Sequence, residues 1–240
     1  MEKKGGTIGE KKTSFSEKTP KEIFSEPLNE EEVIRPFKDK SENLVYYKKH
    51  LSPEYTYQVY KYSSLFKFLI EPSGPSYNTA ELIFAQEGKE LNLKHRLVNS
   101  KEVLGISGSD FLLKAEEYFK ILRNFNEIKE NMVGIEVGQP EVLKWALKNN
   151  FTFKDEKQRV LYESILSGRN NDYIEMNQGN LEDKDSRAPF WIKKDGLEDE
   201  KFQKCIRTLE DKSSFVQNSM DYVLANFPQY FLRFKLLKNL

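Results

Sequence analysis

The chain has 240 residues, of which 38% are hydrophobic and 32% are charged. This length is enough for one large domain or two small ones with an adequate core. The 38 basic and 38 acidic residues give a formal net charge of zero, whereas a protein that binds phosphate backbones usually carries a basic excess. We therefore expect no nucleic-acid partner.

The sequence also restricts the expected compartment. Its single cysteine, Cys205, excludes an internal disulfide framework. Residues 1–18 lack the apolar segment of a signal peptide, and no run of about 18 apolar residues predicts a membrane-spanning helix. We expect a cytoplasmic protein without a transmembrane segment.

Residues 1–42 predict a flexible N-terminal arm, because Lys, Glu and Ser dominate them and Gly and Pro interrupt them. Within this arm, Thr19–Glu22 and Asn29–Glu32 each have the spacing of a helix cap and its N3 partner. The favoured interpretation is a disordered tail with fortuitous caps; the alternative is that the hydrophobic residues beside these caps order on a protein partner. These candidate partner-binding residues are Ile23, Phe24, Val33, Ile34 and Phe37.

Residues 43–108 predict a β-rich subdomain. Aromatic residues that alternate over 55–62 and 65–70 are typical of a β-hairpin, with Ser63–Ser64 as its turn. Apolar residues at every second position over 91–97 predict a third strand.

Two further segments of this subdomain are ambiguous. Residues 79–87 predict a short helix, with Asn78 and Glu81 as its cap pair, but their apolar run also fits a strand. Residues 103–106 are a candidate fourth strand.

Residues 109–240 predict a mainly helical subdomain. Apolar residues recur at helical spacing from Phe111 to Phe125, with Asp110 as the expected N-cap. Residues 132–137 form a short strand-like run, and 169–195 predict a long polar loop. Other helices are predicted at 140–148, 155–167, 197–211 and 214–227.

The C-terminal segment 229–240 predicts a basic amphipathic helix after Pro228. Its apolar stripe can be buried in the protein's own core, in a partner groove or on an anionic membrane surface. We favour the core or a subunit interface over peripheral membrane contact. The candidate partner-binding residues of this segment are Tyr230, Phe231 and Phe234.

The predicted fold class is therefore α+β. A small N-terminal antiparallel sheet with a helix, at 43–108, precedes a mostly helical C-terminal part at 109–240, and the two can share one core.

The turn after residue 104 is the best local candidate for chemistry. A glycine-rich turn before a helix directs backbone N–H groups towards an anion. The turn is not a Walker A loop, because no Gly-Lys-Ser/Thr follows, and both histidines precede Ser107, which excludes the usual hydrolase triad order. We favour a structural turn capped by Asp110. The anion-binding alternative uses Gly105, Ser107, Gly108 and Ser109, together with Lys67.

Lys67 on a strand and Glu81 at a predicted helix start resemble one element of protein kinases. The resemblance is confined to the sheet and helix around these residues. The chain lacks a glycine-rich loop before Lys67, an H-R-D motif and a D-F-G motif.

The remaining residue types point away from metal and cofactor chemistry. Two isolated histidines, His50 and His95, and one cysteine cannot build the usual zinc site. We expect no cofactor and no metal. The favoured function is a non-enzymatic protein–protein interaction protein, an adaptor or accessory subunit of a larger assembly. The alternative is a divergent enzyme, kinase-like or a pathogen effector, that uses the turn at Gly105–Asp110.

Overall fold

The computed structural model describes residues 18–38, 44–73, 80–98, 100–178, 187–210 and 223–240. The helices in these ranges include α1 (Pro20–Ser25), α2 (Glu30–Val33), α3 (Ser100–Leu104), α4 (Gly108–Asn124), α5 (Pro140–Lys148), α6 (Glu156–Leu166) and α7 (Glu200–Glu210). The strands are β1 (Phe37–Lys38), β2 (Leu44–His50), β3 (Tyr55–Tyr62), β4 (Leu65–Pro72), β5 (Ala80–Glu87), β6 (Glu90–Val98), β7 (Met132–Val137), β8 (Thr152–Phe153), β9 (Tyr173–Gln178), β10 (Arg187–Lys193) and β11 (Phe234–Asn239).

Nine of the described strands form one mixed sheet in the order β1-β2-β3-β4-β5-β6-β7-β11-β8. Strands β2 to β6 are an antiparallel meander. The chain then crosses over through α3 and α4, so that β7 runs parallel to β6. Strand β11 lies between β7 and β8 and is antiparallel to both. Strands β9 and β10 form a separate hairpin.

The predicted fold class is wrong, because the sheet is large and is not confined to the N-terminal half. Strands β7, β8 and β11 all come from the part that we predicted to be mostly helical. The segment 229–240, which we predicted to be a helix, contains strand β11. In this strand, buried Phe234 and Leu236 alternate with partly exposed neighbours. A short apolar segment fits both the helical and the strand period, and hydrogen bonding to β7 and β8 decides between them.

The helix predicted at 79–87 is also wrong. This segment contains β5, which pairs with β4 on one side and β6 on the other. The candidate strand at 103–106 is not formed, because Val103 belongs to α3. By contrast, the β3–β4 hairpin with its turn at Ser63 (φ 52°), the strand at 91–97 and the long helix after Ser107 are confirmed.

The described part of the predicted arm, residues 18–38, packs onto the body. Both cap predictions are confirmed, since Thr19 forms a capping box with Glu22 and the Asn29 side chain caps α2. Phe24 and Val33 belong to the main core. The rest of the arm that we predicted over 1–42 lies outside the described residues.

Helix α4 covers one face of the meander through edge-to-face aromatic contacts. Phe119 packs against Phe66 and Phe84 with ring centroids 5.2 and 5.1 Å apart, and Tyr118 packs against Phe68 at 5.4 Å. Such pairs stabilise a core beyond the area that they bury. These rings form the centre of the main core.

A smaller hydrophobic cluster lies beside the main core. The predicted polar loop at 169–195 contains β9 and β10, and residues 179–186 lie outside the described chain. Strand β10 contributes Phe190 and Ile192 to this cluster, and α7 contributes Phe202. Val223 and Phe231, which follow α7 in the chain, complete it.

A buried ion pair connects α4 to β11. The Nζ atom of Lys238 donates to both carboxylate oxygens of Glu116, at 2.7 and 2.8 Å. The two side chains are only 15% and 5% exposed. Each charge depends on the other, because a buried ion without a partner is costly.

We expect Glu116→Gln to lower the free energy of unfolding by about 3 kcal/mol, because it leaves the Lys238 ammonium buried beside a neutral amide. Urea denaturation of the variant and the native chain measures this difference. The double variant Glu116→Gln/Lys238→Met should recover much of the loss. Equal stability of Glu116→Gln and the native chain would contradict the role of the pair.

Candidate functional site

A cleft opens where the parallel strands β6 and β7 separate. The two strands pair over only four positions, from Glu90 opposite Met132 to Leu93 opposite Ile135. Strand β6 continues to Val98 and β7 to Val137 without further pairing to each other. The backbone groups of these continuing segments therefore have no described strand beside them on the cleft side.

The cavity at this point has a volume of about 460 Å³. Its apolar wall comes from the two strands, from α5 and from the smaller cluster, and consists of Leu93, Val137, Val142, Phe190 and Leu224. Its rim is charged and polar, with Glu87, Asn92, Lys94, Glu136, Arg233 and Lys235.

The rim charges form ion pairs. Lys94 lies 2.6 Å from Glu87, and Arg233 lies 3.1 Å from Glu136. The hydrogen bond from Lys94 lowers the pKa of Glu87. These pairs hold the rim side chains in place around the cavity.

A second set of rim charges lies beside Glu90. The Glu90 carboxylate lies 2.5 Å from the Nζ atom of Lys235 and 3.3 Å from that of Lys154. The hydrogen bond with Lys235 lowers the pKa of Glu90 and raises that of Lys235. Both groups are therefore ionised at neutral pH.

Gly134 allows Asn92 to lie across the strand pair. A Cβ atom at Gly134 would stand closer to Asn92 Oδ1 than any real contact allows. Asn92 in turn donates to the Glu87 carboxylate at 2.9 Å. A residue without a side chain on β7 is thus needed for the polar rim on β6.

Arg96 of β6 stacks on Trp145 of α5, beyond the residues that line the cavity. The Arg96 guanidinium carbon stands 4.3 Å from the centroid of the Trp145 ring. Within the described chain Arg96 forms no ion pair, so its N–H donors are available. The Nε1 atom of Trp145 is buried without a hydrogen-bond partner in the same part of the chain. An arginine stacked on an aromatic ring retains its capacity to bind an anion.

The turn at Gly105–Asp110 forms a helix cap, although the predicted cap residue is wrong. Ser107, not Asp110, is the N-cap of α4. The Asp110 carboxylate accepts hydrogen bonds from the backbone N–H and the hydroxyl of Ser107, at 2.8 and 2.7 Å. Burial opposes ionisation of Asp110, but these bonds and the nearby Lys21 outweigh it, so its pKa is lowered.

This capping box places the chain's own carboxylate at the start of α4. The Nζ atom of Lys21 lies 3.8 Å from that carboxylate, and Gly105 adopts a positive φ of 70° beside the Lys21 side chain. Gly108 and Ser109 form the first turn of α4. Anion binding by this turn stays a prediction.

Lys67 does not lie near the turn. It belongs to β4, between Phe66 and Phe68, whose rings contact α4. Because side chains alternate along a strand, Lys67 faces the opposite side of the sheet. Its ion-pair partner Glu81, at 2.9 Å, lies on β5 and not at a helix start. The strand–helix arrangement that resembles protein kinases is therefore not formed.

Most candidate partner-binding residues are buried or partly buried within the protein itself. Four of them are buried, namely Phe24, Val33, Phe231 and Phe234, and three are partly buried, namely Ile23, Ile34 and Tyr230. Phe37 differs, because 45% of its surface is exposed. The adaptor role stays a prediction.

Among the described residues, no three His, Cys, Asp or Glu side chains form a group that could hold a metal ion. In the same ranges, no helix is both long and apolar enough to cross a bilayer. Comparisons of the chain with protein-family models, with curated proteins and with solved structures find no match.

Sequence reasoning missed the cleft. Arg96 stands within the predicted third strand, and Trp145 stands within a predicted helix. An arginine in an apolar strand is a signal, but its meaning depends on which strand lies beside it, and the pairing of β6 with β7 was not predicted.

We expect Ser107→Ala to lower the free energy of unfolding by about 1 kcal/mol, because it removes the side-chain cap of α4. Thermal or urea denaturation measures the change. Ser109→Ala is the matched control, since Ser109 lies in the first helical turn and is not the cap. A loss of similar size in both variants would contradict the assignment of Ser107.

The lowered pKa of Glu90 predicts a specific pH dependence. The folded chain keeps this carboxylate ionised below its ordinary pKa of 4.5. The unfolded chain therefore binds more protons there, and stability falls as the pH decreases. We expect Glu90→Gln to reduce the loss of stability between about pH 6 and pH 3.5, as measured by urea denaturation. Identical pH profiles for the variant and the native chain would exclude this contribution.

Proposed function

We propose that this chain binds an extended small molecule with amide groups and an anionic group in the cleft between β6 and β7. The separation of these two parallel strands is the observation that carries the proposal. In open sheets, ligands bind at the carboxyl ends of the strands where the strand order or direction leaves a crevice. Here β6 and β7 both point towards the opening.

The main-chain groups of the cleft favour a ligand with amide groups. Beyond Leu93, β6 stays paired with β5, and beyond Ile135, β7 stays paired with β11. In the part of the chain that the structure describes, no strand pairs with either of them on the side that faces the cleft. An extended ligand with N–H and C=O groups satisfies such edges in the way that an added strand does. The volume of about 460 Å³ lies in the range of small-molecule sites, about 300–1,000 Å³.

Arg96 favours an anionic group at one end of the ligand. It follows Leu93 by three residues along β6, and a register shift between them makes this stretch span only two residues of β5, or about 7 Å. The Trp145 ring supports the guanidinium, and no carboxylate in the described chain competes for it. A phosphate or carboxylate at that distance from the amide-bearing segment would complete the pairing.

The charges of the rim favour binding over acid–base catalysis. The pKa of Glu87 is lowered by Lys94, and the pKa of Lys235 is raised by Glu90. A general acid or base works best with a pKa near the working pH, and both groups are displaced away from neutrality. They suit the positioning of a ligand.

Three probes separate the two chemical requirements. Pantetheine is a linear chain with amide groups and no phosphate, 4′-phosphopantetheine adds the anion, and inorganic phosphate is the anion alone. By isothermal titration calorimetry, we expect 4′-phosphopantetheine to bind most tightly of the three. Arg96→Gln should weaken the binding of 4′-phosphopantetheine by about tenfold or more. The binding of pantetheine should not change, because only the anion contacts the guanidinium.

A variant that fills the cleft tests its location. Val142→Trp places a large ring against the cavity wall, and Lys144→Trp places the same ring on an exposed position of α5. We expect Val142→Trp to lose the binding of 4′-phosphopantetheine and Lys144→Trp to retain it. No binding by the native chain at millimolar concentration, or unchanged binding by Val142→Trp, would overturn the proposal.

A further inference from the structure

A second groove lies at the opposite end of the sheet, between α2 and the outer edge of β2. Strand β1 pairs with β2 only through Phe37 opposite Val45 and Lys38 opposite Leu44. Residues 46–50 of β2 therefore have β3 on one side and no described strand on the other. The groove has a volume of about 570 Å³.

The main chain of this edge is its principal binding feature. An outer strand presents alternate N–H and C=O groups that another extended chain can pair with. The free part of this edge accommodates an extended segment of about five or six residues, which is about 17–20 Å long. Phe37, which is 45% exposed, offers an apolar contact at one end of the groove.

The two sides of the edge differ in charge, because the lysine on the α2 side, Lys49, is paired with Glu26 at 2.8 Å. Glu31 and Glu32 of α2 line the side where Tyr47 is buried. Burial, and then the charges of Glu32, Glu117 and Glu26, raise the pKa of Tyr47 to about 12, which agrees with a negative potential on that side.

Lys48 and His50 lie on the other face of β2, because they alternate with Tyr47. Lys48 forms no ion pair within the described chain. Lysines on an edge discourage pairing between two like edges, and they favour a strand that brings acidic side chains to that face. Arg35, at 4.0 Å from Glu31, is mostly exposed and adds one positive charge at the helix side.

We propose that the outer edge of β2 docks an extended peptide segment of a partner protein as an additional strand. Its side chains alternate, with basic residues towards α2 and acidic residues towards Lys48 and His50. Main-chain hydrogen bonds supply affinity and the alternating charges supply specificity. This site is independent of the cleft between β6 and β7.

The probe is a peptide of about six residues, which matches the free length of the edge, with lysine and glutamate at alternate positions and blocked termini. A peptide of the same composition with the lysines grouped is the control for net charge. Binding is measured by fluorescence anisotropy at about 0.15 M salt, where long-range attraction is screened. We expect the alternating peptide to bind at least about tenfold more tightly than the grouped one.

Methylation of backbone nitrogens tests strand addition directly. In an added strand, only every second N–H group faces β2. We expect one of two peptides, methylated on all lysines or on all glutamates, to retain binding and the other to lose it by about tenfold or more. Equal retention or equal loss in the two peptides overturns the proposal.

Charge reversal on the protein locates the site. Lys48→Glu should weaken the binding of the alternating peptide by about tenfold. The control is Lys89→Glu, which changes a distant exposed position in the turn after β5. Melting temperatures show that both variants fold. Val142→Trp should leave peptide binding unchanged, so failure of this site is distinguishable from failure of the cleft. Equal peptide binding by Lys48→Glu and the native chain contradicts the docking mode.

Discussion

Helix α4 holds the two halves of the sheet together. On one side its aromatic residues pack against β4 and β5, with Phe119 in contact with Phe66 and Phe84. On the other side its Glu116 binds Lys238 of β11. One helix therefore contacts strands on both sides of the parallel pair, and its burial depends on both.

This arrangement explains how β6 and β7 can separate without loss of the sheet. The meander is stabilised by its own antiparallel pairing and by α4, and β7 is held on its far side by β11 along its whole length. The four pairs between β6 and β7 carry only part of the connection. Beyond these four pairs, no described strand lies between β6 and β7.

The N-terminal helices depend on the same helix. The backbone N–H of Leu28 donates to Glu117 of α4 at 2.7 Å, and Lys114 of α4 donates to the carbonyl of Glu26 at 2.7 Å. These bonds place α2 beside the edge of β2. A short helix that is unstable by itself is thereby fixed by tertiary contacts, and it forms one wall of the groove.

The sequence by itself determined the local elements whose signals are contained in a few neighbouring residues. Caps at Thr19 and Asn29, the hairpin turn at Ser63 and the periodicity of α4 depend on short-range sterics and hydrogen bonds. Such signals specify an element but not its neighbours. They also explain why the turn before α4 was recognised while its cap residue was misassigned, since Ser107 and Asp110 bond to each other.

Only the tertiary structure decided the sheet and the sites. Segments 79–87 and 234–239 fit two periods, and the strands beside them selected the extended form. The buried partner-binding candidates Phe24 and Phe234 show the same limit, because an apolar side chain does not specify what will cover it. Arg96 and Trp145 are far apart in the chain, and only the parallel crossover brings them together.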